Sequence, residues 1–168
     1  MDCKTRADLP YPEVTHSERD INEIKLLMPV YGGRESETTA VMNYIYYSYV
    51  SKEKYPELSK CFECIGITEM KHHELLGTAV AALGGTPYIG GNYNYWQGNY
   101  VNYAKDPVLM IKTAINAEKQ AISDYKTVVA RSRNDEVKEM IKRIIIDEEL
   151  HIEALTELLN TYSSSGRS

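Results

Sequence analysis

Apolar residues return every three or four positions in four stretches of this chain, and clusters rich in Gly, Pro, Asn and Ser separate the stretches. That periodicity predicts amphipathic helices. The first opens at Ser17-Glu18-Arg19-Asp20, an N-cap with acidic residues in the first turn, followed by Ile21, Ile24, Leu27 and Met28. Pro29 and Gly32-Gly33 kink or interrupt it, and it resumes near Arg34 to run to about Lys54. Its lower part, Tyr44 to Val50, is apolar or aromatic nearly all round. A helix of that kind is covered on more than one side, which predicts a homodimer contact there.

Pro56 suits the first turn of a second helix, which runs to about Leu83 and stops at Gly84-Gly85. Its inward stripe reads Leu58, Phe62, Ile65, Glu69, His72, Leu76, Ala79 and Leu83. Residues 84–106, with five Gly, four Asn, five Tyr and Trp96, predict an irregular crossover. A connection this long lets helices two and three run parallel. Asp106 caps the third helix with Pro107 at its first position; its stripe is Ile111, Ile115 or Ala114, Glu118, Ile122, Tyr125 and Val129. The break at Arg131 to Asn134 is short, so helix four, from about Asp135, turns back antiparallel. Its stripe is Val137, Ile141, Ile144, Glu148, His151, Leu155 and Leu158. The expected architecture is all-α: a four-helix bundle with a long crossover between helices 2 and 3. Residues 1–16 are read as an extended surface segment, 17–161 as the bundle domain and 162–168 as a flexible tail.

Composition narrows the class. With 26% charged and 43% hydrophobic residues, the 168-residue chain is an ordinary single globule. A net charge of −5 gives no nucleic-acid footprint. No apolar run reaches the ~18 residues of a membrane helix, so no membrane partner is expected. Met1 to Leu9 lacks a signal-peptide core. Cys3, Cys61 and Cys64 are an odd set, too few for a disulfide scaffold, and point to a reducing cytoplasm.

The candidate chemistry lies in the polar residues on the apolar stripes. Three of the four histidines follow a Glu by three positions: Glu13/His16, Glu69/His72 and Glu148/His151. Glu13/His16 follows Pro10-Tyr11-Pro12 and reads as surface. The other two lie within helical stripes, where residues three apart share a face. Two Glu-x-x-His helices plus one Glu from each of two more make the ligand set of a dinuclear carboxylate bundle. Glu118 is the only Glu of helix three. On helix one Glu35 and Glu37 compete. Glu37 is preferred because Val41, Tyr44 and Ser48 continue its stripe. Four buried carboxylates without cations would be a severe liability. Two divalent cations balance their charge and leave two neutral imidazoles as further ligands.

On these residues the sequence resembles the ferritin-like superfamily, and within it the rubrerythrin and bacterioferritin group, over about residues 20–160. Ser36 to Tyr44 looks like the first-ligand helix, with a Tyr seven residues after the ligand Glu; Glu69-Met70-Lys71-His72 and Asp147-Glu148-Glu149-Leu150-His151 look like the two Glu-x-x-His helices. The resemblance implies shared, bridging roles for Glu69 and Glu148. Glu37 and His72 would complete one metal, Glu118 and His151 the other. By the same resemblance Asp147 could reach across to fix His72. Tyr44 is a candidate catalytic phenol facing the site, or a core aromatic. His73, one step off the ligand face, reads as a boundary residue.

The implied function is an oxidoreductase with two iron ions acting on hydrogen peroxide or dioxygen. Alternatives are a manganese catalase with two manganese ions and no external donor, a ferrous-iron binding or ferroxidase protein, and a structural bundle holding zinc. Rubrerythrins usually carry two Cys-x-x-Cys knuckles, and this chain has only Cys61-Phe62-Glu63-Cys64, inside helix two. That implies an external electron-donor protein and leaves the two cysteines as packing residues or a redox pair. The few residues after helix four leave no fifth helix of the ferritin type, which argues against a storage cage.

Overall fold

The computed structural model describes residues 4–165. Five α-helices follow in order: α1 Ile21–Gly32, α2 Glu37–Ser51, α3 Pro56–Ala82, α4 Pro107–Arg131 and α5 Asp135–Ser165. The first predicted helix is therefore two helices that share one position in a four-helix bundle. Asp20 caps α1 by accepting the Asn22 and Glu23 amides at 3.0 and 3.1 Å. Pro29 sits within α1 and does not end it. A proline cannot donate to the carbonyl four residues back. That carbonyl, of Lys25, instead accepts the side-chain amide of Asn92 at 3.0 Å. The chain breaks at Gly32-Gly33, where the crossover passes so close that a Cβ on Gly32 would lie 2.5 Å from the Gly90 nitrogen. Only glycine fits such a backbone contact.

α3 ends in a left-handed turn at Gly84, with φ of +77°. The Gly84 amide donates to Ala81 at 3.0 Å and the Gly85 amide to Val80 at 2.9 Å, closing the last turn in a Schellman arrangement. The crossover holds no named strand, only a single bridge between Gly90 and Tyr95. It is pinned by side chains: Tyr31 donates to the Pro87 carbonyl at 3.0 Å, Trp96 to Thr39 at 2.9 Å, and the Asn102 amide to Asn43 at 2.7 Å.

The core divides into two clusters. One joins α1 (Ile24, Leu27, Met28) to Leu76 and Leu83 of α3, Tyr125 and Val128 of α4, and Val137 to Ile144 of α5. The other joins α2 (Tyr44, Tyr47) to Leu58 to Ile65, Met110 to Ile115, and Leu155 and Leu158. The first cluster takes the late residues of α3 and α4 but the early residues of α5. So α3 and α4 run parallel, and α5 runs against both, as the long crossover and the short break predict. The band between the clusters, level with Glu69, Glu118 and Glu148, holds the polar residues.

Two expectations change. The serines at 163–165 continue α5 instead of leaving it as a tail. Leu158 belongs to the second core cluster, Tyr162 packs against it, and the Tyr162 ring meets Tyr55 edge-on at 5.5 Å; residues 166–168 of the expected tail lie outside the described residues, as does Cys3. The aromatic run of α2 is also covered mostly by its own chain. Tyr44 and Tyr47 are buried, and Tyr46 meets the crossover's Tyr103 at 5.0 Å. Met42 and Tyr49 remain exposed. Among the described residues no helix is long and apolar enough to cross a membrane.

Candidate metal centre

Each of α2, α3, α4 and α5 brings one glutamate to the polar band, and α3 and α5 add a histidine one turn later. Glu37, Glu69, His72, Glu118, Glu148 and His151 are all at most 3% exposed. They form two groups of four: Glu37, Glu69, His72 and Glu148, and Glu69, Glu118, Glu148 and His151. Within each group one donor atom per residue lies within 4.8 Å of the others. Glu69 and Glu148 belong to both. His72 Nδ1 is 3.0 Å from Glu69, 3.3 Å from Glu148 and 3.9 Å from Glu37. His151 Nδ1 is 2.9 Å from Glu148, 3.1 Å from Glu69 and 3.7 Å from Glu118. Glu35, the rejected competitor, is exposed.

Among the described residues Glu37 Oε2, Glu69 Oε1, Glu148 Oε2 and both ring nitrogens of His151 make no aligned hydrogen bond, although His151 Nδ1 has carboxylate oxygens within 3.1 Å. Orphaned buried polar atoms are rare in native proteins, and here they converge. Hard carboxylate oxygens mixed with imidazole nitrogen suit a divalent iron, manganese or zinc ion. The residues therefore fit a pair of such ions.

Charge tells the same story. Burial, reinforced by the charges of Glu69 and Glu148, pushes Glu37 well above the usual carboxylate range. The same causes raise Glu118 to about 8. Burial alone would also raise Glu69, but the His151 and His72 imidazoles outweigh it and hold Glu69 below the ordinary value. Burial opposes charge on both histidines, yet the surrounding carboxylates lift His72 and His151 well above 6.5. Glu37, Glu118, His72 and His151 are thus all shifted toward their protonated forms, offsetting charge that cations would otherwise balance.

The outer partners are unevenly distributed. Tyr44 donates to Glu118 across the bundle, and Tyr125 donates to Glu37. Asp147 Oδ2 lies 3.1 Å from His72 Nε2. Asp147 also accepts the Ala7 amide at 2.7 Å and the Tyr11 hydroxyl at 2.5 Å, and pairs with Arg143 at 2.8 Å. Arg143 stacks on the Tyr11 ring, 4.3 Å from its centroid, and donates to the Ala7 carbonyl at 2.8 Å. The N-terminal segment, expected merely to lie on the surface, therefore straps the outside of His72. Burial and the Asp147 hydrogen bond push the Tyr11 phenol up to about 12, so it stays a donor.

A groove of about 410 Å³ between α2 and α4 reaches the cluster from outside. Asn43, Asn102, Asn116 and Gln120 line its outer part, and Tyr44, Tyr125 and the four glutamates line its floor. A second cleft of about 890 Å³, between α1, α4 and the crossover, carries charges of both signs and does not touch the cluster.

All six candidate ligands, Tyr44 and Asp147 thus meet in one place. Glu13 and His16 are exposed. His73 is a boundary residue, half-buried against the Tyr31 ring and 3.1 Å from Thr38 Oγ1. Cys61 is buried in the second core cluster and Cys64 is half-buried; neither joins the two groups. Sequence reasoning missed the parts of Tyr125, Arg143 and Tyr11. Tyr125 follows Glu118 by seven residues, as Tyr44 follows Glu37, so the echo was available. Arg143 sits four residues before Asp147 on one helix face. Nothing local marks Tyr11.

Fold and cluster together define a ferritin-like bundle with a carboxylate and histidine cluster suited to two metal ions. Residues 34–159 match the rubrerythrin family. The chain belongs to the rubrerythrin family. It is also 24% identical, over 84% of its own length and 72% of the other's, to a probable manganese catalase of Clostridium acetobutylicum. In fold it is similar to a manganese catalase from Anabaena PCC7120, with a TM-score of 0.83, 20% identity, and coverage of 94% of this chain and 80% of that one. A bacterioferritin from Rhodobacter capsulatus is similar with a TM-score of 0.75 and 19% identity, over 88% of this chain and 89% of that one.

Proposed function

We propose that the protein is a dinuclear-metal oxidoreductase acting on hydrogen peroxide or dioxygen, with two iron ions as its cofactor. Glu37 and His72 would hold one ion, Glu118 and His151 the other, and Glu69 and Glu148 both. The observation that carries this reading is the sharing: two donor groups with two carboxylates in common, on the floor of a groove. Bound ions would supply a two-electron redox couple to a small oxidant.

The chain's own residues do the rest. The groove admits a small polar molecule past Asn43 and Gln120. Tyr44 and Tyr125 hold Glu118 and Glu37 turned toward the cluster and, with burial raising both phenols, keep their protons as hydrogen-bond donors at the floor. Asp147 keeps the His72 proton on Nε2 and so aims the Nδ1 lone pair inward. Electrons come from a separate donor protein. Residues 17–161 form the working domain, and a homodimer would form through the part of α2 that its own chain leaves bare, at Met42 and Tyr49.

One further reading, a manganese catalase with two manganese ions, is favoured by the likeness to two such enzymes. It needs no external reductant. Metal analysis of protein purified without added metals, followed by peroxide assays with and without a reductant, tests both. Iron at two per chain with reductant-dependent peroxide loss is expected. Oxygen evolution without reductant from manganese-loaded protein would replace it with the catalase reading. Zinc alone, with no redox change, would overturn both.

A further inference from the structure

Within that reading, and resting on it, we propose that the two metal positions are unequal: the Glu37–His72 position fills first and tightly, and the Glu118–His151 position is weaker and exchangeable. The difference lies outside the ligands. Inside, the positions match closely. Each has its own glutamate, each of those glutamates accepts a tyrosine from the opposite helix, and both share Glu69 and Glu148.

An imidazole that gives its Nδ1 lone pair to a cation must carry its proton on Nε2. That proton needs an acceptor when the ring is buried. His72 Nε2 has Asp147 at 3.1 Å, and Asp147 is itself fixed by Ala7, Tyr11 and Arg143. His151 is just as deeply buried, and among the described residues its Nε2 has no partner. The bundle shows why. α3 and α5 are related by an approximate two-fold: Glu69 and His72 on one match Glu148 and His151 on the other. The residue before Glu148 is Asp147, which crosses to His72. The residue before Glu69 is Thr68, buried in the matching place. Its hydroxyl is engaged elsewhere, 3.0 Å from the Thr5 hydroxyl and 3.3 Å from the Cys64 carbonyl. One position has an outer carboxylate, Asp147, and the other has Thr68 in its place.

Loss of such a partner typically costs about 10- to 100-fold in metal affinity. The two positions should differ by about that factor. At limiting metal the chain would rest half-loaded, and the second ion would come and go.

The test uses the metal-free full chain and Co²⁺ as the probe. Calorimetric titration should show two ions per chain in two steps, with dissociation constants about 10- to 100-fold apart. The shared carboxylates could separate the steps by themselves, so location decides. Anomalous diffraction from crystals given one equivalent of Co²⁺ should place the ion among Glu37, Glu69, His72 and Glu148. Equal occupancy of the two positions, or a first ion beside His151, overturns the proposal and leaves the dinuclear reading standing. Saturation at fewer than two ions sinks that reading instead. Asp147→Asn should drop the first step towards the second. Thr68→Asp should tighten the second step about tenfold or more. A folded, loaded Thr68→Asp protein with an unmoved second step also overturns the proposal. Should the added charge prevent folding, the anomalous experiment on the unaltered chain still decides.

Discussion

The helix pair α3 and α5 and the helix pair α2 and α4 build the same cluster by different means. α3 and α5 each carry glutamate and histidine one turn apart, and their glutamates belong to both donor groups. α2 and α4 each carry one glutamate, belonging to one group only, and a tyrosine seven residues later that bonds the other helix's glutamate. The groove opens between α2 and α4. One pair is therefore the shared floor, and the other is the wall beside which a small molecule arrives. The difference teaches that equal-looking ligands are not equal in consequence: what each glutamate holds depends on which pair it comes from.

Substitution breaks that comparison most sharply. Glu148→Ala removes a donor common to both groups and should leave less than one metal per chain, with activity at the level of metal-free protein. Glu37→Ala removes a donor from one group and should leave about one ion per chain. Metal analysis after dialysis checks both. Equal losses would remove the distinction between floor and wall.

Protons give the next largest effect. Glu37, Glu118, His72 and His151 are shifted toward their protonated forms, so loading two ions should release protons. Calorimetry in buffers of different ionisation heat counts them. The same groups fix how metal-free stability depends on pH. A carboxyl raised in the folded state favours folding while it keeps its proton. That stability is fully present below the unfolded value near 4.5 and is lost as pH rises through the folded value, about 8 for Glu118. The raised histidines act in the same direction at and above neutral pH. Lowered Glu69 acts the other way, below pH 4.5. Metal-free protein should therefore lose a few kcal/mol between pH 5 and pH 8, roughly, while metal loading should strengthen over the same range. Thermal unfolding with and without metal measures both slopes.

The two pairs also differ in what the sequence discloses. Glu-x-x-His lies within one helix, so spacing alone places both donors on a face. That is why Glu69, His72, Glu148 and His151 are legible without a structure. Helix bounds and the crossover were legible from Pro56, Pro107, Asp106 and Gly84, each of which acts locally. Tyr125 was not, because its partner Glu37 is on another helix and 88 residues away. The break between α1 and α2 was only half legible: Pro29 and Gly32 are visible, but the Gly90 backbone that requires Gly32 arrives from the crossover. The strap is the extreme case, since neither Ala7 nor Tyr11 stands in any periodic pattern.

Removing the tyrosine hydroxyls sharpens the wall's role further. Tyr125→Phe should weaken the Glu37–His72 position and Tyr44→Phe the Glu118–His151 position, each by about tenfold, the value of one bond to a charged group. Co²⁺ titration of the two variants should show the losses in different steps. Loss in the same step for both would mean that the crossed hydrogen bonds do not belong to separate positions.

The smallest effect, and the one whose sign is least obvious, belongs to Tyr11→Phe. The variant keeps the ring under Arg143 and removes only the hydroxyl that shares Asp147 Oδ2 with His72. Two consequences oppose each other. Asp147 loses one of its donors, which loosens it. Its Oδ2 also becomes more basic, which strengthens its hold on the His72 proton. The carboxylate remains anchored through Oδ1 by the Ala7 amide at 2.7 Å and Arg143 at 2.8 Å, so the second consequence should win. Affinity at the Glu37–His72 position is expected to rise by about two- to threefold, with the other position unchanged. Thr15→Ala, which cuts the same strap's exposed hydroxyl bonds to Glu136, should alter neither step. A loss of affinity in Tyr11→Phe would show that the strap works by holding Asp147 still and not by sparing its charge for His72.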